Sequence, residues 1–126
     1  MFNIKKMGVG LTSPFVYLPA TSGETIVAGE ALVLSSGKLT KCGATAKPAY
    51  VALGPDDGNG TVPCVEVQSY MEFQTTLSAV GTALNVGDKV TLHTDGLQVT
   101  ATTASGVATI KRIDGQAVGD TVIVSF

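Results

Sequence analysis

The sequence has few of the residues on which catalysis and nucleic-acid binding depend. It contains no tryptophan, one histidine (His93) and one arginine (Arg112) in 126 residues, and charged residues make up only 14%. Nucleic-acid binding calls for clustered lysine and arginine that neutralise phosphates. The longest basic run here is Lys5-Lys6 and the net charge is −2, so we expect no nucleic-acid partner.

With a single histidine, the chain can form few of the residue arrangements that support nucleophilic catalysis. A Ser-His-Asp or Cys-His arrangement could be built only around His93. This residue lies on the polar side of an alternating run, next to a turn signal, where a surface histidine is expected. The "GVG" at residues 8–10 is not followed by the helix that a phosphate-binding loop requires. We predict that the chain is not an enzyme and binds no cofactor.

Metal and disulfide sites are equally scarce. Cys42, Cys64 and the distant His93 do not have the spacing of a zinc site. Without a secretory signal the two cysteines are expected to be free buried thiols, and a bridge is the alternative if their strands are neighbours. The loop "PDDGNGT" (55–61) offers oxygen ligands, but its spacing differs from that of a calcium loop. We predict an ordinary surface loop there, with a weak cation site as the alternative, and assign no metal.

Long hydrophobic runs are also missing. No stretch approaches the 18 apolar residues that a membrane span needs, and glycine, proline and threonine interrupt the N-terminal region before a signal-like core forms. We therefore expect no membrane partner and synthesis in a cytoplasm. Hydrophobic residues make up 44% of the chain, so one domain with a core of small and β-branched side chains is expected. The low charge suits a protein that is packed against others.

Three segments share one phrase, in which glycine and an acidic residue precede an alternating apolar run. They are residues 26–41, 84–99 and 116–126. The glycine can take a positive φ and the acid can hydrogen-bond nearby backbone, which predicts a tight turn followed by a strand. The similarity is either an internal repeat or common turn chemistry. Both interpretations place a strand start at each copy.

The alternation within each copy predicts which side chains face the core. In the second copy Val90 and Leu92 share a face, and Asp95-Gly96 predicts the turn of a hairpin that returns through Val99. The first copy predicts that Leu32 and Leu34 (or Val33) point inward and that Leu39 returns on the same face. The third runs through Val122 and Val124 to Phe126, which we expect to be tied into a sheet.

Further strands are predicted over 49–54, 61–77 and 106–113. In residues 61–77 the apolar positions Val65, Val67, Met71 and Phe73 share one face. Pro63 predicts that its end of this segment lies at a sheet edge. A helix over 22–34 is weakened by Gly29. We therefore predict an all-β fold with little helix: seven to nine short antiparallel strands in a compact small β-barrel or sandwich, with residues 24–126 as a single domain.

The first 23 residues have a different character and predict an extended N-terminal arm. Pro14 and Pro19 bracket "FVYL", which can lie extended but is unsuited to a central strand. Either this arm is an edge strand of the same domain, or it docks on a neighbouring protein by adding a strand to its sheet. The candidate contact residues are the large apolar ones, namely Phe2, Ile4, Phe15, Tyr17 and Leu18.

The arm, together with "VAGEALVLSSGKLTKC", "VPCVEVQSYMEFQTTLSAVGTALNVGDKVTLHTDGLQVTA" and the final "VGDTVIVSF", resembles small head proteins of tailed phages. More specifically, the chain is similar to capsid decoration (cement, or head-stabilising) proteins, including uncharacterised prophage proteins encoded near major capsid genes. The resemblance covers roughly residues 24–126 and consists of turn-and-strand phrases, so no functional residue is carried over.

The resemblance implies a structural virion protein located on the capsid surface. Such proteins bind the major capsid protein on the outside of the shell, often as trimers at local three-fold positions, and stabilise it against internal pressure. The N-terminal arm of the family corresponds loosely to residues 1–20 here. Two alternatives stay open: a ligand- or carbohydrate-binding β domain, and a structural component of the phage tail or neck. Against a sugar-binding platform, the chain has no tryptophan and only three tyrosines.

Overall fold

The computed structural model describes residues 1–6 and 15–126, and the chain is all-β over these ranges, without a helix. Ten strands form two antiparallel sheets of five strands each, which is one strand more than the upper end of the predicted range. Sheet I contains, in spatial order, β1 (Asn3–Lys6), β7 (Glu72–Thr76), β10 (Thr121–Ser125), β9 (Ala108–Ile113) and β8 (Lys89–Val90). Sheet II contains β2 (Phe15–Pro19), β6 (Thr61–Glu66), β5 (Tyr50–Ala52), β3 (Ala31–Ser35) and β4 (Lys38–Lys41).

The main core lies between the two sheets. Val51 and Val65 of sheet II pack in one cluster with Phe73 and Val124 of sheet I. The ring of Phe126 lies 5.5 Å from the ring of Phe73 and 5.5 Å from that of Phe2. The sequence predicts that Phe126 is tied into a sheet; it follows the last residue of β10 and is held instead by burial in the main core, where it is 8% exposed.

A second core lies on the other face of sheet II. Its buried members come from four strands of the sheet and from the segment before β3; they are Ile26, Leu32, Leu39, Ala52, Val62 and Cys64. A single parallel bridge between Ala20 and Leu39 brings the end of β2 against β4, the opposite edge strand, so sheet II is strongly curled. The sheets are not closed into a barrel, and the fold is a sandwich.

The three Gly-acid phrases have the same local structure. In each, the glycine has a positive φ (Gly29 81°, Gly87 97°, Gly119 88°) and the residue before it does not, as in a type II turn. The acidic side chain that follows accepts a hydrogen bond from the first N–H of its own turn. The pairs are Val27 N to Glu30 Oε2 (3.0 Å), Asn85 N to Asp88 Oδ2 (2.9 Å) and Ala117 N to Asp120 Oδ2 (2.9 Å).

Each of these turns is also docked on a neighbouring strand in the same way. The backbone N–H of the turn glycine donates a hydrogen bond to the carbonyl of a residue in the neighbouring segment. The N–H of that same residue donates a hydrogen bond to the backbone carbonyl of the acidic residue of the turn. The three receiving residues are Ala52, Ile110 and Leu77. This is the pattern of a β-bulge that begins with a left-handed glycine. The prediction that the three copies mark strand starts is confirmed, because β3, β8 and β10 begin directly after the acid.

The segment 61–77 forms two strands that belong to different sheets. β6 is in sheet II and β7 is in sheet I, and residues 67–71 connect them. The predicted inward face is nevertheless correct, because Val65, Met71 and Phe73 are buried in the main core and Val67 packs against it. The alternation continues across the connection because both strands border the same core.

The prediction that Pro63 marks a sheet edge is wrong, since β6 lies between β2 and β5. The Pro63 carbonyl accepts a hydrogen bond from Leu53 N at 2.8 Å, so the missing N–H of the proline would also face this partner. Leu53 lies just past the end of β5. The absent donor therefore falls where the pairing of β6 with β5 ends, and an interior strand tolerates it.

Two predicted hairpins differ in detail from the structure. Leu34 is exposed, whereas Leu32 and Leu39 are buried and Val33 is half-buried. Leu34 extends past the part of β3 that is covered by β5, whose pairing with β3 ends at Leu32. In the second hairpin Val90, Leu92 and Val99 are buried as predicted, but regular pairing within the hairpin is limited to a bridge between Leu92 and Val99.

Candidate interaction surface

The five candidate contact residues of the N-terminal region do not form one surface. Phe2 is 2% exposed and packs in the main core against Phe126. Leu18 is partly buried against the second core, and Ile4 against the main core. Tyr17 is 61% exposed. The backbone of Phe15 begins β2, its side chain lies outside the described part of the structure, and residues 7–14 of the predicted arm lie outside it as well.

Most of the described residues of this region lie in β1 and β2. Both of these are edge strands. β1 pairs with β7 at one edge of sheet I, with a register shift between Ile4 and Lys6. β2 pairs with β6 at one edge of sheet II. The geometry therefore places the two strands in different sheets of the same sandwich.

An exposed apolar row runs across the end of sheet II. Tyr17 of β2 is paired with Pro63 of β6, and Pro63 in turn accepts the N–H of Leu53. Neighbouring residues of paired strands point to the same face of a sheet, so the three side chains lie side by side. Leu53 is 41% exposed and Pro63 is partly exposed. Sequence reasoning missed Leu53 and Pro63, because only the strand register reveals their alignment with Tyr17.

A shallow groove of about 300 Å³ adjoins Leu53. Residues 1–4 line it together with Ala28, Gly29 and Ala52. The terminal ammonium of Met1 is fixed beside it, since it donates to the Leu97 carbonyl. Burial lowers the pKa of this ammonium, and the nearby Asp95 carboxylate opposes the shift. The side chains that line the groove are uncharged, so it offers apolar contact and little acid–base chemistry.

β2 differs from the other edge strands in its content of charged residues. Edge strands commonly carry lysine, which discourages unwanted pairing with other chains. Lys5 lies on β1, Lys38 and Lys41 lie on β4, and Lys89 lies on β8. β2 has the sequence FVYLP and contains no charged residue. Among the four edge strands of the described ranges, β2 is therefore the one that carries no charged residue.

The side chains of His93 and Arg112 each contact an aspartate two residues further along the chain. His93 Nδ1 lies 3.1 Å from Asp95 Oδ1 and 3.2 Å from Asp95 N within its hairpin turn. The exposed Arg112 guanidinium donates two hydrogen bonds to Asp114, at 2.7 and 2.9 Å. These bonds raise the pKa of Arg112 and lower that of Asp114.

The acidic loop 55–61 uses its carboxylates to hold its own backbone. Asp56 Oδ1 accepts hydrogen bonds from Gly58 N (2.7 Å) and Gly60 N (3.0 Å). Asp57 Oδ1 accepts from Asn59 N (2.8 Å) and Thr61 N (3.2 Å). Within the described ranges, no three histidine, cysteine, aspartate or glutamate side chains are grouped so that they could hold a metal ion. The loop is a surface turn built on aspartate, as the sequence predicts.

The two cysteines are free and buried, as predicted. Cys42 belongs to the main core and Cys64 to the second core. The Cys42 thiol donates to the Ala46 carbonyl over 3.0 Å. Burial raises the pKa of each thiol to about 11, so both are protonated at neutral pH and poorly nucleophilic.

A second groove, of about 220 Å³, lies beside Phe126. Lys47 and Lys89 stand at its rim, and Val107 and Thr109 contribute to its wall. Gly106 and the ring-bearing residue Phe126 complete its lining. The described part of the chain contains no helix that is long and apolar enough to cross a membrane.

No model of a known protein family matches the chain, and no curated protein matches it significantly.

Proposed function

We propose that this chain is a structural protein of a tailed-phage virion that binds the outer surface of the capsid and stabilises it. Its partner would be the major capsid protein, and it would bind as a homo-oligomer, with a trimer implied by the sequence resemblance. The proposal assigns the chain no catalytic role and no cofactor.

The observation that supports this proposal best is the uncharged apolar row of Tyr17, Pro63 and Leu53 beside edge strand β2. A cementing protein needs many modest contacts repeated over a symmetric shell, where multivalency makes weak individual contacts sufficient. An apolar row that includes a residue of an uncharged edge strand provides side-chain contacts of this kind. The exposed Tyr17 is a residue type that is enriched at protein interfaces.

The proposal is tested by co-sedimentation with undecorated capsids of the phage whose genome encodes the chain. We expect the wild-type protein to pellet with the shells and to raise the temperature at which they open. The variant Leu53→Asp places a charge in the row and should reduce binding at least tenfold. Leu34→Asp changes a comparably exposed leucine at the tip of the β3–β4 hairpin and is the matched control.

Two results would contradict the proposal. One is wild-type protein that stays in the supernatant with intact undecorated shells. The other is binding without any change in shell stability, which would identify a different role on the virion. Equal capsid binding of the Leu53→Asp and Leu34→Asp variants would show that the apolar row does not contact the capsid.

The groove beside Leu53 supports one other candidate function, the binding of a small apolar ligand. Its volume of about 300 Å³ is at the lower end of the range for small-molecule sites. The two functions differ in their response to a groove-filling change. Ala28→Leu should abolish small-ligand binding while leaving capsid co-sedimentation intact if the groove itself has no role on the shell.

A further inference from the structure

The acidic loop 55–61 contains a peptide bond that is prone to a spontaneous chemical change. The asparagines of the sequence are Asn3, Asn59 and Asn85, and of these Asn59 alone is followed by glycine. Asparagine is a thermolabile residue in proteins. An Asn-Gly bond is especially reactive, because glycine has no Cβ that would obstruct its backbone nitrogen. Asn59 is exposed and Gly60 is partly exposed, so water reaches this bond.

Deamidation at this bond needs water as its only co-reactant. The backbone nitrogen of Gly60 attacks Cγ of Asn59, so that a new C–N bond closes a five-membered imide ring. The bond from Cγ to the side-chain amide nitrogen breaks, and that nitrogen leaves as ammonia with the proton that Gly60 N has lost. Water then opens the imide at either carbonyl and gives aspartate or isoaspartate. No oxidant, reductant or cofactor takes part.

The structure holds the attacking nitrogen in a hydrogen bond. Gly60 N donates to Asp56 Oδ1 at 3.0 Å. The same oxygen accepts the N–H of Gly58 at 2.7 Å. Gly58 N is the nitrogen that would attack Asp57 in the analogous isomerisation of the Asp57–Gly58 bond. One carboxylate oxygen therefore binds the attacking nitrogens of both reactive bonds in the loop.

These hydrogen bonds oppose the reaction in two ways. Gly60 N must lose its proton before the imide closes, and the neighbouring Asp56 carboxylate disfavours a second negative charge beside it. The nitrogen must also move towards Cγ, which breaks a charge-assisted hydrogen bond. Movement is restricted on both sides of the bond, because Asn59 N donates to Asp57 Oδ1 at 2.8 Å and the Gly60 carbonyl accepts Ala20 N at 2.8 Å.

We propose that Asn59 is a deamidation site that the Asp56 carboxylate keeps closed in the folded chain. The inference goes beyond the proposed function and does not depend on it. Its consequence is structural, because the isoaspartyl product would lengthen the backbone by one methylene next to Gly60. The Gly60 carbonyl anchors Ala20, the residue that follows β2, so deamidation would loosen the end of this edge strand.

Incubation of the purified chain at mildly alkaline pH tests the inference. Mass spectrometry of peptides measures deamidation at Asn59, and an isoaspartyl methyltransferase assay measures the isoaspartyl product. Asp56→Ala should deamidate about tenfold faster than the wild type, which corresponds to the loss of one hydrogen bond to a charged acceptor. Circular dichroism and the melting temperature establish that the variant is folded.

Asp88→Ala is the matched control for this variant. It likewise removes a carboxylate that holds backbone within a turn, since Asp88 Oδ2 accepts Asn85 N at 2.9 Å. This turn lies before β8, outside the acidic loop. Asp88→Ala should therefore deamidate at Asn59 at the wild-type rate, even if it lowers the melting temperature as much as Asp56→Ala does.

Two measurements on the wild type test the inference without any variant, and they decide it if Asp56→Ala does not fold. The amide protons of Gly58 and Gly60 should exchange with solvent more slowly in the folded chain than in the urea-unfolded chain. Deamidation at Asn59 should be at least about tenfold faster in the urea-unfolded chain than in the folded one.

Three results would overturn the inference. One is a folded wild type in which Asn59 deamidates as fast as in urea, or in which the Gly60 amide proton exchanges without protection. Another is an Asp56→Ala variant that is folded and deamidates at the wild-type rate. The third is equal acceleration in Asp56→Ala and Asp88→Ala, which would trace the effect to a general loss of stability. Capsid co-sedimentation is a separate measurement, so failure of either proposal leaves the other standing.

Discussion

The carboxylate of Glu30 is almost fully buried, and its Oε1 lies 3.7 Å from Lys41 Nζ across the β3–β4 hairpin. The other oxygen, Oε2, accepts the Val27 N–H, whereas Oε1 has no hydrogen-bond partner in the structure. Asp88 and Asp120 occupy the equivalent position in the other two turns and are one methylene shorter. The longer side chain of Glu30 therefore reaches a partner outside its own turn.

Removal of the Lys41 charge should destabilise the fold. In Lys41→Met the Glu30 carboxylate stays buried with a single hydrogen bond, which we expect to cost about 1–3 kcal/mol in the free energy of unfolding. This loss is smaller than the loss expected when one partner of a fully buried ion pair is removed, because the Lys41 side chain is half exposed. Urea unfolding measures the effect, and Lys38→Met on the same strand is the control, with a change of about 0.5 kcal/mol or less.

A double mutant distinguishes the ion pair from the packing of the lysine side chain. Glu30→Gln in the Lys41→Met background removes the uncompensated charge, so the second change should cost less than it does in the wild type. Strictly additive losses would show that Glu30 and Lys41 are not coupled.

The three turns illustrate what local sequence can predict. A left-handed glycine and a carboxylate within four residues are requirements of the turn itself, so the copies at Gly29, Gly87 and Gly119 are evident before any tertiary information. The exchange of hydrogen bonds with Ala52, Ile110 and Leu77 is a tertiary relationship. No pattern in the sequence indicates which distant residue receives each turn.

The same distinction explains which relationships the sequence does not reveal. Val65 and Phe73 alternate in phase because they face one core, and the sequence does not indicate that the chain changes sheets between them. Phe2 lies between Met1 and Asn3 in the predicted arm, where no local pattern marks it as a core residue, yet its ring contacts that of Phe126. Tyr17 was a candidate from its flanking prolines, whereas Leu53 joins it only through the pairing with Pro63.

Replacement of each of the three turn glycines by alanine should destabilise the fold, and the loss should be larger where the added Cβ has less space. Ala at Gly87 or Gly119 meets nothing within 4 Å, so only the cost of a positive φ remains, about 1–2 kcal/mol. Ala at Gly29 would in addition overlap the Met1 side chain. We expect Gly29→Ala to be the most destabilising of the three in thermal unfolding.

Asparagine provides the control for this series, because it adopts a left-handed conformation more readily than alanine. Gly87→Asn and Gly119→Asn should recover part of the stability lost in the alanine variants. Equal stability of the alanine and asparagine variants would contradict the role assigned to the positive φ.

The acidic loop should respond to substitution but not to calcium. Asp57→Ala removes the acceptor for Asn59 N and Thr61 N, and we expect it to cost about 0.5–2 kcal/mol in the free energy of unfolding. Millimolar calcium should leave the melting temperature of the wild type unchanged, because these carboxylates already serve the backbone. A calcium-dependent increase that disappears in Asp57→Ala would instead show that the loop binds the ion.

The buried thiols should make stability fall in alkaline solution. Burial raises the pKa of Cys42 and Cys64 in the folded chain from an ordinary value of 9.0 to about 11. Between these values the unfolded chain has lost the thiol protons that the folded chain retains, so a rise in pH favours unfolding. The contribution is complete below pH 9 and declines up to about pH 11, at about 1.4 kcal/mol per pKa unit for each thiol.

Urea unfolding at a series of pH values from 8 to 11 measures this decline, and the comparison with Cys64→Ala isolates one thiol. Cys64→Ala is less stable than the wild type at pH 8 because it leaves a cavity in the second core. The difference between the two proteins should narrow as the pH rises, since the variant has only Cys42 left to titrate. A thiol reagent at pH 8 should likewise modify the native protein slowly and the urea-unfolded protein at once. Rapid modification of the folded chain would show that at least one thiol is accessible and would contradict the raised pKa.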